Sequence, residues 1–229
     1  MVVHPSQVVE VPDGLTDEQA VIVEPLACAV HAARQVAPGR VAVIGAGTLG
    51  LLTVAALGRL SPATEVLATA KHPEQRAWAR ELGADAVCGP GELARAVRSA
   101  TGSMVIGDQL TGGVPTVVDC VGSEASLQQA LHVVAPAGTV LTVGMPGRTT
   151  LDLTSLWHRE TALRGCYAYE RDDFEAALAL AADLDLGRLV TTSYPLDRYE
   201  AAVDHAAHAG ERGAVKIAFD PRTARRARR

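Results

Sequence analysis

Apolar residues follow two patterns along the chain: short continuous runs, and longer segments in which they recur every three or four positions. The first pattern is typical of buried strands and the second of amphipathic helices. From residue 40 onward the two alternate, which predicts strands at 40–45, 65–70, 86–88, 115–120 and 139–144 and helices at 48–60, 73–82, 91–100 and 124–134. This alternation predicts an α/β fold with a doubly wound parallel sheet and helices on both faces.

The pattern differs at both ends. Thr16 and Gln19 form a capping pattern that predicts a helix start, and Pro25 is expected to break or restart that helix, with a second helix over 26–35. After Gly147 the pattern predicts a strand at 161–167, a helix at 172–184, a strand at 189–194, a helix at 198–209 and a strand at 214–219. We interpret residues 1–38 as a lead-in, 39–188 as the α/β domain, 189–220 as a returning segment and 221–229 as a disordered basic tail.

A glycine motif joins the first predicted strand to the following helix. Gly45, Gly47 and Gly50 are spaced as G-x-G-x-x-G, with Thr48 and Leu49 in the first helical turn. The first glycine allows a tight turn, the second allows phosphates to approach the backbone, and the third allows the helix to pack close to the strand. Because the helix N-terminus offers unpaired amides and a positive dipole, the motif predicts a Rossmann-type dinucleotide site.

The end of the second strand bears on the choice of dinucleotide. This fingerprint expects an acidic residue there to bind the ribose 2′-hydroxyl, but the chain has Ala70, followed by Lys71 and His72, with Arg76 one turn later. Nearby positive charges attract a 2′-phosphate, and no carboxylate is present at this position to repel it. NADP(H) is therefore expected to bind better than NAD(H). In the alternative interpretation, Lys71 and Arg76 form only a solvated start of the next helix.

Other candidate residues leave two interpretations open. His205 and His208 could share a metal on one helix, or lie on its solvated face. His31 is either a packed or capping histidine or a residue of the cleft. Cys120 follows a predicted strand, where it is more consistent with a small wall residue than with a nucleophile, since the sequence places no base beside it.

Composition restricts the partners. A net charge of −5 disfavours a nucleic-acid surface, and no apolar stretch reaches the roughly 20 residues of a membrane helix. The four cysteines lack a C-x-x-C pair, which argues against a disulfide framework or a cysteine zinc site. We therefore expect a cytoplasmic protein that binds neither nucleic acid nor membrane.

Taken together, these residues resemble the medium-chain, zinc-type alcohol dehydrogenase/reductase family. The matching stretches, in order, are 24–32, 43–50, 81–85, 118–122, 138–144 and 213–217. They cover the later two-thirds of a typical member. The family's N-terminal GroES-like barrel, with its cysteine and histidine zinc ligands, is then expected to be absent or supplied by another polypeptide.

The resemblance implies further cofactor-binding residues. The cleft would be lined, largely through backbone, by Cys120, Val121, Gly122, Val143, Gly144, Met145, Tyr167 and Ala168, and Lys216 would reach the pyrophosphate. Glu24 corresponds to a zinc ligand or near-ligand in polyol-type members. It is the single metal candidate and does not make a complete site, because zinc needs about three protein ligands; zinc is therefore expected only if a missing domain or partner supplies the others.

Two functions remain open from the sequence. The resemblance implies an NAD(P)-dependent oxidoreductase that moves a hydride between nicotinamide and a small alcohol, polyol or carbonyl. The sequence assigns no catalytic residue to this reaction. The resemblance also implies a homodimer, since members of the family commonly form one. The alternative is a non-catalytic dinucleotide-binding module or remnant.

Overall fold

A computed structural model describes residues 2–107, 109–145 and 147–222 of the chain. Eight α-helices in this part are α1 (Asp17–Ala33), α2 (Thr48–Leu60), α3 (Pro73–Glu81), α4 (Leu93–Thr101), α5 (Glu124–Val133), α6 (Thr154–His158), α7 (Arg171–Asp183) and α8 (Tyr199–Ala207). The strands are β1 (Gly39–Ile44), β2 (Ala63–Thr69), β3 (Ala86–Cys88), β4 (Val105–Ile106), β5 (Gln109–Leu110), β6 (Val114–Asp119), β7 (Val134–Thr142), β8 (Ala162–Gly165), β9 (Val190–Tyr194) and β10 (Lys216–Phe219).

Six strands form one parallel sheet in the order β3-β2-β1-β6-β7-β8. The chain moves outward from β1 in one direction and from β6 in the other, so the carboxyl ends of these two strands form the switch point where ligands of such sheets bind. This confirms the predicted doubly wound Rossmann-like fold. β9 and β10 pair in a separate parallel sheet, and β4 and β5 form a small antiparallel one.

The two faces of the main sheet carry separate apolar clusters. Helices α1, α2 and α7 cover one face, where Leu26, Leu51 and Leu180 are buried. Helices α4 and α5 cover the other, with Leu93 and Leu131 buried. Helices therefore pack against both faces of the sheet.

The predicted helix break at Pro25 is wrong. Helix α1 runs without interruption from Asp17 to Ala33, and its predicted start is confirmed because Thr16 and Gln19 bond each other's backbone amides. An interior proline costs a helix about 3 kcal/mol. Ile22 and Leu26, on either side of Pro25, are fully buried, and each such side chain contributes about 1.5–3 kcal/mol. Burial of the continuous apolar face offsets the lost hydrogen bond.

Other differences are local. The sequence did not predict the hairpin of β4 and β5 or the short helix α6, because each of these elements has too few residues to show a periodic pattern. Strand β7 starts five residues before the predicted 139, because its register against β6 shifts between Val114 and Thr116, near Ala137 with its φ of 58°. Of the predicted basic tail, residues 223–229 lie outside the described residues, while Arg222 pairs with Asp17 and Asp220.

Within the described residues, none of the helices combines the length and apolarity needed to cross a membrane. The cytoplasmic location stays a prediction.

Helix α2 approaches the preceding turn as closely as its backbone allows. A Cβ placed on Gly50 would lie 1.7 Å from the carbonyl oxygen of Gly45. Gly58, later in the same helix, has no neighbour within 4 Å of such a Cβ and is exposed. The third glycine of the motif therefore has the packing role expected from the sequence.

We expect Gly50→Ala to destabilise the protein by several kcal/mol, since the helix must move away from β1 to admit the methyl group; overpacking typically costs about 1–3 kcal/mol or more. Gly58→Ala, in the same helix, is the matched control and should stabilise by up to about 1 kcal/mol. Urea unfolding followed by circular dichroism measures both. Equal effects of the two substitutions would contradict the close approach.

Candidate functional site

Two turns meet at the switch point of the sheet. Ile44 and Asp119, the last residues of β1 and β6, are paired, and the amide of Cys120 donates to the carbonyl of Ile44 at 3.0 Å. The glycine turn follows the first strand, and residues 120–123 follow the second. A cleft opens on both sides of these turns.

The glycine turn exposes the start of α2. Gly45 has a φ of 92°, and its amide donates to the hydroxyl of Thr69 at 3.0 Å. Gly47, the N-cap of α2, has no atom within 4 Å of where a Cβ would stand. The first amides of a helix have no partner within the helix, so this turn presents donors and the positive end of the helix dipole to open space.

The first lobe of the cleft has a volume of about 540 Å³. The residues lining it include Gly45, Gly47, Lys71, His72, Gln75, Pro90, Gly91, Val121, Ser123, Ser126 and Gln129. The side-chain amide of Gln129 on α5 donates to the carbonyl of Pro90 beyond β3. This contact joins the two walls of the lobe.

The second lobe lies on the other side of the glycine turn and has a volume of about 650 Å³. Its lining includes Glu24, Cys28, Leu49, Leu127, Val143, Gly144, Met145, Leu163, Cys166, Tyr167 and Ala168. Met145 and Tyr167 are each 93% exposed at its rim, and Ala168 holds a φ of 53° that side chains rarely adopt. Exposed apolar side chains and a strained backbone are both typical of binding sites.

Asp119 organises the walls of both lobes. Its buried carboxylate accepts hydrogen bonds from the amides of Val121 and Gly122 and from the Ser126 hydroxyl, at 2.9–3.2 Å to the nearer oxygens. Its backbone carbonyl accepts the amides of Val143 and Gly144, each at 2.9 Å. Burial raises the pKa of the Asp119 carboxyl above its ordinary value, although these donors oppose the shift.

The residues after β2 that were predicted to bind a 2′-phosphate, Lys71, His72 and Arg76, differ in their position relative to the first lobe. Ala70 is buried, while Lys71 is exposed and lines the first lobe with His72. Arg76 instead donates from Nε to the carbonyl of Ala70 at 3.0 Å. Its guanidinium thus braces the loop, and Lys71 is the cation at the cleft.

The returning segment reaches the start of α2. The hydroxyl of Thr48 donates to the carbonyl of Val215 at 2.8 Å, and the amide of Val215 donates to the Thr191 hydroxyl at 3.0 Å. Lys216 is the next residue and is half-buried. The structure therefore places the backbone of Lys216 beside the glycine turn.

The cysteine thiols at the cleft are poor nucleophiles. Burial raises the pKa of Cys120 to about 12, with a bond to Thr53 opposing the shift. Burial and the charge of Glu24 raise the pKa of Cys28 to about 11. Both thiols are protonated at neutral pH, and the thiolate is the reactive form.

The histidine candidates have local partners. His31 lies 2.7 Å from Asp173, away from both lobes. His205 Nδ1 lies 3.0 Å from the hydroxyl of Tyr194, and His208 Nδ1 lies 2.9 Å from the carbonyl of Asp204. No cluster of three or more His, Cys, Asp or Glu able to hold a metal occurs in residues 2–107, 109–145 and 147–222, so Glu24 has too few companions there to fit zinc.

Comparison with known proteins agrees with this geometry. The family model for zinc-binding dehydrogenases matches residues 48–183. The chain belongs to the zinc-binding dehydrogenase family. Sorbitol dehydrogenase of Gallus gallus is 28% identical over 223 residues, which are 93% of this chain and 59% of the relative.

Solved structures of zinc-binding dehydrogenases give the same result. L-idonate 5-dehydrogenase of Escherichia coli superposes with a TM-score of 0.80 at 26% identity, over 95% of this chain and 61% of that one. A zinc-binding dehydrogenase of Sinorhizobium meliloti, bound to NADP, has a TM-score of 0.73 at 27% identity, over 93% of this chain and 62% of that one. The chain thus spans about three-fifths of the length of these relatives.

Several predicted residues of this zinc-binding dehydrogenase lie behind the cleft surface, and several lining residues were not predicted. Neither lobe is lined by Thr48, Gly50, Ala70, Arg76, Cys120, Gly122 or Lys216, although Gly122 belongs to the turn whose Val121 and Ser123 line the first lobe. Gln129 and Pro90 were missed, but Pro90 follows a strand end and could have been found by the same edge rule. Cys28 lies one helical turn after Glu24 and could have been found by helical spacing.

The raised pKa of Asp119 gives a signed prediction. A folded-state value above the ordinary 3.8 means that ionisation of Asp119 opposes folding. We expect the free energy of unfolding of the native protein, relative to Asp119→Asn, to fall as pH rises from 3.8 through the folded-state value. Urea unfolding over a pH series measures the difference.

Asp152→Asn is the control for this measurement. The hydroxyl and amide of Thr154 lower the pKa of the exposed Asp152 carboxyl, so its contribution is present above the ordinary value and lost as pH falls. The native-minus-variant difference should therefore have the opposite slope. A difference for Asp119→Asn that grows with pH would show that its hydrogen bonds dominate over burial.

Proposed function

We propose that this chain is the cofactor-binding part of an NAD(P)-dependent oxidoreductase that transfers a hydride between nicotinamide and a small alcohol, polyol or carbonyl. The observation that carries the proposal is the open amide end of α2, which lies between two lobes of similar volume at the switch point of the sheet. A dinucleotide has two such halves joined by a pyrophosphate, which suits the amide-rich turn between them.

The residues present fit a dinucleotide. The turn from Gly45 through Gly47, Thr48, Leu49 and Gly50 would hold the pyrophosphate, because its glycines leave the space that side chains would fill. The first lobe would hold the adenosine half against Val121 and Gly122. The second would hold the nicotinamide half against Val143, Gly144, Met145, Tyr167 and Ala168. Lys216 would add a positive charge beside the pyrophosphate.

NADP(H) is the dinucleotide we favour. An aspartate or glutamate at position 70 would bind a ribose 2′-hydroxyl and repel a phosphate, whereas Ala70 does neither. Lys71, exposed at the lobe, supplies a cation for a 2′-phosphate. The Sinorhizobium meliloti relative, of similar fold, binds NADP.

The chain's contribution to the chemistry is orientation. When bound, the nicotinamide supplies or accepts the hydride, at a carbon held against the walls of the second lobe. Those walls are largely apolar, with Met145 and Tyr167 exposed at the rim. The described residues do not fit a zinc site, so we derive no step through a metal; metal-assisted turnover would need ligands beyond Glu24 from a further domain or a partner.

The substrate class comes from the relatives, which are dehydrogenases of sorbitol and L-idonate. Both names point to polyhydroxylated substrates, and a polyol or small alcohol is therefore proposed. The alternative, a module that binds the dinucleotide without chemistry, is favoured by the shortage of metal donors in the described residues. Homodimerisation stays a prediction.

Hydride transfer separates these two functions. We expect the purified chain to bind NADPH at micromolar concentration, seen as enhanced nicotinamide fluorescence. Deuterium transfer from 4-deuterated NADPH to an added aldehyde, with zinc present, would support the oxidoreductase. Binding without transfer would show that this chain alone only holds the dinucleotide, as expected both of the non-catalytic module and of a cofactor-binding part that takes its zinc ligands from elsewhere. Failure to bind either NADPH or NADH would overturn both functions.

A substitution of Lys71 tests the cofactor preference. Lys71→Gln removes a charge-assisted contact to the 2′-phosphate, and we expect NADPH to bind about tenfold more weakly while NADH changes by less than about twofold. Arg80→Gln, which removes one exposed positive charge from the end of α3, is the control and should affect neither. Tighter binding of NADH than NADPH by the native chain would overturn the preference.

A further inference from the structure

A single buried carboxylate connects α1 to the wall of the second lobe. Asp173 lies in the first turn of α7 and is 3% exposed. One oxygen lies 2.7 Å from Nδ1 of His31, and the other accepts from the guanidinium of Arg34 at 2.6 Å. The first oxygen also accepts the amide of Glu170 at 3.0 Å. Asp173 thus contacts His31 in the last turn of α1, Arg34 at its C-cap, and the segment that precedes its own helix.

A second contact holds the other end of the same segment. The side-chain amide of Gln35 donates to the sulfur of Cys166 at 3.3 Å and to the carbonyl of His31 at 3.1 Å. Residues 166–170, here called the wall segment, are therefore attached to one region of α1 at both ends. Between the attachments lie Tyr167 and Ala168, which line the second lobe.

The apolar contact between α1 and α7 does little to fix the position of one helix along the other. Ala29, Ala32 and Ala33 on α1 and Ala177 and Ala181 on α7 are all fully buried in one cluster. Alanine faces have shallow ridges and grooves, and burial alone is non-directional, so the alanine contact does little to fix the register of the two helices. Directional bonds fix it instead: the side-chain amide of Gln19 donates to the carbonyl of Ala181 at 3.3 Å at one end of the pair, and Asp173 bonds His31 and Arg34 at the other. Buried polar groups have this role in setting register elsewhere.

The carboxylate is suited to this role because it is ionised. Burial opposes its charge, but the Glu170 amide, His31 and Arg34 together outweigh burial and hold the pKa of Asp173 below its ordinary value. A charged acceptor makes stronger hydrogen bonds than a neutral one.

We propose that Asp173 is a positioning residue: through His31 and Arg34 it fixes the wall segment, and thereby selectively supports binding of the nicotinamide half of the dinucleotide. This inference rests on the proposed function. The first lobe, whose walls come from the glycine turn, α3 and α5, does not depend on the same contacts.

The test compares Asp173→Asn with Asp172→Asn in the full chain. Both remove one negative charge from the first turn of α7, but Asp172 is exposed. The ligands are NADPH, which occupies both lobes, and adenosine 2′,5′-bisphosphate, which occupies the first. We expect Asp173→Asn to weaken NADPH binding about fivefold to tenfold, the equivalent of one or two lost hydrogen bonds. The bisphosphate should change by less than about twofold, and Asp172→Asn should affect neither ligand.

Hydrogen exchange gives a readout that needs no ligand. In the unliganded chain, the amides of 166–170 should exchange faster in Asp173→Asn than in Asp172→Asn, while those of 121–126 should be unchanged. If Asp173→Asn does not fold, Arg34→Gln removes one bond at a residue whose side chain is 42% exposed, and the same selective loss of NADPH affinity is expected.

The outcomes separate the two proposals. Equal weakening of both ligands, or no weakening of either, overturns the positioning role while leaving the proposed function in place. A native chain that binds the bisphosphate and NADPH, with selective loss of NADPH in the variant, supports both. A native chain that binds neither ligand overturns the proposed function and this inference with it.

Discussion

The arrangement of the site depends on one close approach, between the start of α2 and the turn that leaves β1. Only a residue without a side chain fits at Gly50, where a Cβ would lie 1.7 Å from the Gly45 carbonyl oxygen. This contact sets the angle of α2 and so directs its unpaired amides to the switch point between β1 and β6. A similar restriction holds across the cleft, where a Cβ on Gly144 would lie 2.5 Å from the carbonyl carbon of Val121. The start of α2 is therefore packed against the glycine turn, and Gly144 against residues 120–123, to the limit of backbone contact.

Two buried aspartates support these turns in different ways. Asp119 bonds groups two to seven residues away in sequence and the backbone amides of Val143 and Gly144, so it fixes local shape. Asp173 bonds residues that are distant in sequence, so it fixes the relation between two helices. The pKa values of the two carboxyls shift in opposite directions for the same reason. Burial raises the pKa of Asp119 and its neutral donors do not compensate, whereas at Asp173 the Glu170 amide together with His31 and Arg34 outweighs burial and lowers the pKa.

The sequence predicted the features that depend on local pattern. Strands of the main sheet, the helices between them and the glycine turn all have strong periodicity or fixed spacing, and their bounds agree with the structure to within a few residues. Pro25 was misjudged because a local rule was outweighed by burial of Ile22 and Leu26, which only the tertiary structure shows. Arg76 bonds the Ala70 carbonyl through Nε, a contact that the sequence did not indicate, and its place at the cofactor stays a prediction. The contact between Gln129 and Pro90 and the contacts of Asp173 join segments about 40 to 140 residues apart, and no spacing within one sequence indicates such contacts, although the strand-edge rule points to Pro90 itself.

The same distinction explains why the proposed dinucleotide site needs little beyond one segment, whereas the described residues do not make a complete metal site. Pyrophosphate is bound by consecutive backbone amides at one helix end, so the essential donors of the site lie within the six residues from Gly45 to Gly50. A zinc ion needs about three side-chain ligands at defined distances, and in a folded protein these come from separate segments. Glu24 is exposed at the rim of the second lobe, and its neighbour Cys28 is held protonated by burial and by the Glu24 charge itself. A cation placed there would relieve that repulsion and lower the thiol pKa. Yet two donors one helical turn apart would still leave the coordination incomplete. Binding a nucleotide therefore requires one run of backbone amides, whereas activating a substrate with a metal requires side chains from several segments. The described residues supply the amides but not the full set of metal ligands.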